Sequence, residues 1–99
     1  MKLYELAHSR TGDKGNLSTI SVIANDAADY KYLCDTLNTE KVLAHFQAIG
    51  ATKVERYEIP SLGALNFVIK DTLGGGVTHS LALDTHGKSL SGLMLEMDI

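Results

Sequence analysis

The stretch with the most chemistry for its length is His8-Ser9-Arg10-Thr11-Gly12-Asp13-Lys14-Gly15-Asn16. Arg10 can grip a carboxylate or phosphate through two parallel N–H bonds, and Lys14 adds a point charge. Asp13 can act as an acid or base, or orient either cation. Gly12 and Gly15 admit positive φ and the close approach of a ligand or another backbone. Successive N–H groups in such a turn form an anion-binding nest. The same composition also suits a structured surface loop in which Asp13 and Asn16 bond their own backbone. The spacing is neither that of a Walker A loop nor that of a dinucleotide fingerprint. His8 and Ser9 are neighbours, so on a strand they point to opposite faces and cannot work as a nucleophile–base pair.

Gly74-Gly75-Gly76 is a second candidate, either a backbone nest for an anion or a connection where no side chain fits. The histidines are His8, His45, His79 and His86. No two stand at metal-ligand spacing on one helix and there is no cysteine pair, so no metal site is expected. His79 falls on the apolar face of a strand and His45 on the exposed side of a helix. Cys34 belongs to a buried helical stripe, as core. Asp84, His86 and Lys88 read as a solvated turn.

These residues need elements to hold them. Residues 2–8 alternate as a first strand, and the polar stretch after it reads as a loop. Leu17-Ser18-Thr19-Ile20-Ser21-Val22-Ile23-Ala24 is a second strand, central because both faces carry apolar groups. Asn25-Asp26 ends it and offers an N-cap. Tyr30, Leu33, Cys34 and Leu37 form a helical stripe. Thr39 can cap a second helix, whose apolar face is Val42, Leu43, Phe46 and Ile49 and whose stop is Gly50. Residues 52–59 carry charges on both sides, as an edge strand does. Pro60-Ser61-Leu62-Gly63 turns the chain. Residues 65–70 and 77–84 alternate as further strands; Leu90, Leu93, Met94 and Met97 keep the spacing of a closing helix, while Leu93, Leu95, Met97 and Ile99 keep that of a strand, and the helix is favoured.

The expected order is ββ-α-βββ-α. Runs of strands joined by short loops pair antiparallel, so the fold class is α+β: a two-layer sandwich with a mainly antiparallel sheet of about four to five strands and helices on one face. The 99 residues make one domain, residues 1–99, with no repeat or linker. A net charge of -3 without a basic cluster argues against a nucleic-acid partner. No apolar run approaches the roughly 20 residues of a membrane span. One cysteine cannot close an internal disulfide, and Met1-Lys2-Leu3-Tyr4-Glu5 lacks the apolar core of a secretory signal. Both point to the cytoplasm.

Several segments together resemble one family. They are Arg10-Thr11-Gly12-Asp13-Lys14-Gly15-Asn16, Arg56-Tyr57-Glu58-Ile59-Pro60, Ala64-Leu65-Asn66-Phe67-Val68-Ile69, Leu73-Gly74-Gly75-Gly76-Val77, and Ser80-Leu81-Ala82-Leu83-Asp84 followed by Gly87-Lys88-Ser89-Leu90. They look like the C-terminal domain of the acyclic terpene utilisation protein AtuA and its relatives. Thr11 stands where the family usually has Ser, which keeps the hydroxyl. The resemblance implies a ferredoxin-like fold and a setting in the breakdown of branched or terpenoid acyl compounds as coenzyme A thioesters. In larger relatives the domain follows a long N-terminal region; here a stand-alone domain is expected.

The expected function is therefore a small accessory subunit or binding module. It would act with a larger AtuA-like partner or as a homo-oligomer, without a cofactor. Arg10, Gly12, Gly15, Asn16 and Gly74–Gly76 would meet a coenzyme A thioester, another anion or a neighbouring chain. The alternative is a hydratase- or lyase-type enzyme component, with Asp13 and Lys14 as catalytic groups in an intersubunit site. A core this small leaves little room for an internal pocket.

Overall fold

The computed structural model describes residues 1–14, 17–71 and 89–99, with the side chains of Asp13, Lys14 and Ser89 excepted. The elements are β1 (Ala7–Lys14), β2 (Leu17–Ala24), α1 (Tyr30–Thr36), α2 (Thr39–Phe46), β3 (Lys53–Ile59), β4 (Ala64–Lys70) and α3 (Ser89–Leu95). The strands form one sheet in the order β1-β2-β4-β3, with every neighbouring pair antiparallel. This is the expected α+β architecture. The strand expected at 77–84, together with Gly74–Gly76, His79, Asp84, His86 and Lys88, lies outside the described residues.

The sheet alternates because the described helices cover one of its faces. Ile20 and Val22 of β2 and Leu65, Phe67 and Ile69 of β4 are fully buried toward the helices. Leu33 and Leu37 beside α1, Val42 and Phe46 of α2, and Met94 of α3 complete that core with no exposure. Leu17, Ile23 and Val68 fall on the other face and are half-buried.

Local chemistry places the ends of the elements. Asp26 accepts from the Ala28 N–H and opens the turn before α1, as expected. Asn38, not Thr39, caps α2: its Oδ1 accepts from the Lys41 N–H at 2.7 Å. The cap must precede the first helical residue, and Thr39 is already that residue. Gly50 ends the following turn at φ 99°, and Gly63 closes the β3–β4 connection at φ 60°, both left-handed.

Two expectations at the start of the chain are corrected. Leu3–Glu5 is a single 3-10 turn, and the strand begins at Ala7. The Leu3 N–H donates to the Met97 carbonyl and the Ile99 N–H to Met1, so the two ends of the chain pair with each other. The polar stretch read as a loop is instead strand through Lys14, in register from Ala7↔Ala24 to Lys14↔Leu17. Its polar side chains are no obstacle, because β1 is outermost among the described strands and one of its faces meets water.

His45 is also corrected. Its ring is half-buried, with Nε2 2.7 Å from the Leu93 carbonyl, so it joins α2 to α3 rather than facing water. Cys34 is half-buried against the core.

The outermost strand β3 holds the helix layer through Arg56. Its guanidinium donates to the Cys34 carbonyl at 2.7 Å and to the Leu37 carbonyl at 3.1 Å, two of the groups the end of α1 leaves unpaired. The other arm meets the Glu58 carboxylate at 2.8 Å. Replacing Arg56 with Met should strip both carbonyls and cost about 2 kcal/mol in urea unfolding. Arg56→Lys keeps the charge but not the fork, and should lose a measurable part of that. Unfolding midpoints equal to the parent in both variants would refute this role.

Candidate functional site

Strand alternation divides the polar stretch between the two faces of the sheet. Thr11 faces the helices, where its Oγ1 meets Ser91 Oγ of α3. Positions 9 and 13 share that side. Positions 8, 10, 12 and 14 belong to the uncovered side. Arg10 and Asp13 therefore start from opposite faces, as do Asp13 and Lys14. Gly15 and Asn16 lie outside the described residues.

Residues 9–14 are extended and paired with β2, so they do not curl into an anion nest. Gly12 has no positive φ. It is small for a different reason: a Cβ there would stand 2.9 Å from Thr19 Oγ1 across the ladder. That hydroxyl donates to the Gly12 carbonyl at 3.2 Å.

The uncovered face is built from cross-strand rows. One runs Arg10↔Ser21↔Asn66↔Tyr57 and the next Gly12↔Thr19↔Val68↔Glu55. The last runs Lys14↔Leu17↔Lys70↔Lys53. Ser21 Oγ donates to Asn66 Oδ1 at 3.3 Å. Tyr57 OH donates to Glu55 Oε1 at 3.1 Å, and Lys53 Nζ lies 3.4 Å from Glu55 Oε2. The Tyr57 hydrogen bond, then Lys53, hold the Glu55 carboxyl below its ordinary range, and the same hydrogen bond raises the Tyr57 phenol. Arg10 and Lys70 have no ion-pair partner among the described residues. His8 is exposed at the end of this face, its Nδ1 2.8 Å from Asn25 Oδ1.

The helix side of β1 is polar too. Ser9 Oγ is buried and makes no hydrogen bond among the described residues. Ser18, fully buried on β2, stands opposite position 13. A second buried hydroxyl is Tyr30 OH, near Cys34, Arg56 and Glu58. Burial first, then Cys34 and Glu58, push its pKa up to about 12, against the opposing pull of Arg56.

What this arrangement can do chemically is hold anions and a protein surface. His8 Nδ1 and His45 Nε2 are occupied by amide and carbonyl oxygens. Among the described residues no three His, Cys, Asp or Glu side chains gather to hold a metal. No described helix is long and apolar enough to cross a membrane. Reading residues 9–16 as a loop hid the side preference of each position. The alternation was present in the sequence, with hydroxyls at 9 and 11 and cations at 10 and 14. The contributions of Lys53, Lys70 and Tyr57 were missed, because joining them to Arg10 requires the register of all four strands.

The model of the AtuA ferredoxin-like domain family matches residues 1–99, the whole chain. No curated protein and no solved structure matches it.

Gly12→Ala should force Thr19 from its rotamer, break the 3.2 Å bond and destabilise the fold by about 1 kcal/mol. Adding Thr19→Ala should recover part of that loss, and strict additivity in thermal unfolding would contradict the contact. Tyr30 gives an alkaline signature. Its pKa is raised in the folded chain, so its contribution is complete below the unfolded value and is lost as pH rises toward about 12. Tyr30→Phe should remove the absorbance step near 12 and flatten the fall in stability above pH ~10. A step that persists in the variant would assign it elsewhere.

Proposed function

Starting from a chain that belongs to the AtuA ferredoxin-like domain family, we propose that it works as a small accessory subunit or binding module in the breakdown of acyl-CoA or branched, terpenoid carboxylates. It acts with a larger AtuA-like partner or as a homo-oligomer. The observation that supports this reading is the sheet with one covered face. Half-buried apolar groups and unpaired cations occupy the other, which suits contact with a second chain. The division of Arg10, Asp13 and Lys14 between two faces also favours a site completed by a neighbour over one contained within this chain.

A second reading makes Asp13 and Lys14 the catalytic acid/base and cation of a hydratase- or lyase-type component in an intersubunit site. It draws support from Arg10, an exposed cation without an ion pair on the same side as position 14. There Arg10 would hold the anionic substrate, and Gly12, Gly15, Asn16 and Gly74–Gly76 would let its backbone approach.

Mixing the purified chain with a larger AtuA-like protein from the same cell separates the two. The accessory reading expects co-elution at a fixed ratio, with Asp13→Asn and Lys14→Ala leaving both the ratio and the activity of the assembly unchanged. A fall of about a hundredfold in activity at an unchanged ratio would establish the catalytic reading instead. Elution of the chain as a lone monomer would remove the accessory reading.

A further inference from the structure

The cations of the uncovered sheet face specify what covers it. Among the described side chains this face carries the bases Arg10, Lys53 and Lys70 and one acid, Glu55. The whole chain has 9 basic and 12 acidic residues and a net charge of -3. The basic character of this face thus stands against a chain that is negative as a whole. Lys70 and Lys53 are directly opposed across β3 and β4. Like charges opposed at the roughly 5 Å spacing of neighbouring strands weaken a sheet. Glu55 pairs with Lys53 at 3.4 Å and attracts Lys70 only more weakly, from a longer distance, so Lys70 has no ion pair among the described residues. Leu17 and Val68 lie between these charges, half-buried and without a covering layer among the described residues.

We infer that this face docks on an acidic protein surface of another chain, with carboxylates meeting the Lys53–Lys70 row and Arg10, and apolar side chains meeting Leu17 and Val68. The inference rests on the accessory reading and specifies the chemistry of the partner's surface. A second copy fits less well. Stacked face to face it would bring two positive surfaces together, and head to tail it would make a contact that does not close. A nucleic acid fits less well too. Tyr57 and, at the far end, His8 are the only rings on the described face for stacking, and the chain as a whole repels phosphate.

The test uses labelled poly-L-glutamate, with a single-stranded thymidine oligonucleotide as the competing polyanion. Anisotropy should show poly-glutamate binding that weakens as sodium chloride rises. Lys53→Glu with Lys70→Glu should weaken it by about tenfold or more. Lys31→Glu with Lys41→Glu, the same charge change on the exposed helix layer, should have a clearly smaller effect. Circular dichroism checks that each variant folds, and Arg10→Glu replaces the first pair if that pair does not. Equal effects of the two pairs would overturn the inference. So would an oligonucleotide bound as tightly as poly-glutamate, or sedimentation showing a self-associated chain that Lys53→Glu with Lys70→Glu dissociates. Co-elution with the larger partner that survives Lys53→Glu with Lys70→Glu would sink this inference alone. Absence of co-elution in the parent would sink the accessory reading, while the poly-glutamate comparison still judges the face.

Discussion

The structure depends on the pairing of β2 with β4. These strands are far apart in sequence, yet Ile20 meets Phe67 and Val22 meets Leu65 in direct register. That pairing fuses two antiparallel hairpins into one sheet and creates a continuous apolar surface large enough to bury two helices. The chain between them, α1 and α2, has nowhere to lie but across the inner side. A sheet assembled this way closes its long loop before its central contacts reward it, so the burial of Phe67, Ile20 and Phe46 must outweigh that entropy.

Because all described helices lie on one side, the polar residues of the strands fall into two populations. Those turned inward, such as Thr11 and Arg56, are used up in holding the layers together. Those turned outward, such as Arg10 and Lys70, have no such duty. The division is set by parity along each strand, so residues adjacent in sequence serve different purposes. A one-residue slip of β1 against β2 would exchange the two populations and put a guanidinium into the core.

The alternation of Leu65, Phe67 and Ile69, the helical stripe of Tyr30, Leu33 and Leu37, and the stops at Gly50 and Gly63 were legible because each is local. β1 was not, because its alternation is of hydroxyls and cations rather than of apolar and polar groups, and its glycines and charges suit a loop as well until β2 pairs with it. His45 was placed on the wrong side because its partner, Leu93, lies 48 residues away. The candidate site was legible in its residue types, and the chain's membership of the family agrees with the motifs that carried the resemblance. Its geometry was not legible: Lys53 comes to face Lys70 only once β3 and β4 are in register, and Arg10 joins their side of the sheet only through β2.

The meeting of the chain ends has a geometric consequence. Lys2 bridges Asp98, both by backbone pairing and by an ion pair at 3.3 Å, and Met1 accepts from Ile99. A sequence attached before Met1 or after Ile99 would depart from the same spot on the molecule. Tension applied through two such attachments would load this short terminal clasp first and leave the sheet unstressed. The fold is therefore close to a ring, and its ends could be joined and reopened elsewhere, at Gly63 for instance, without moving any strand from its place.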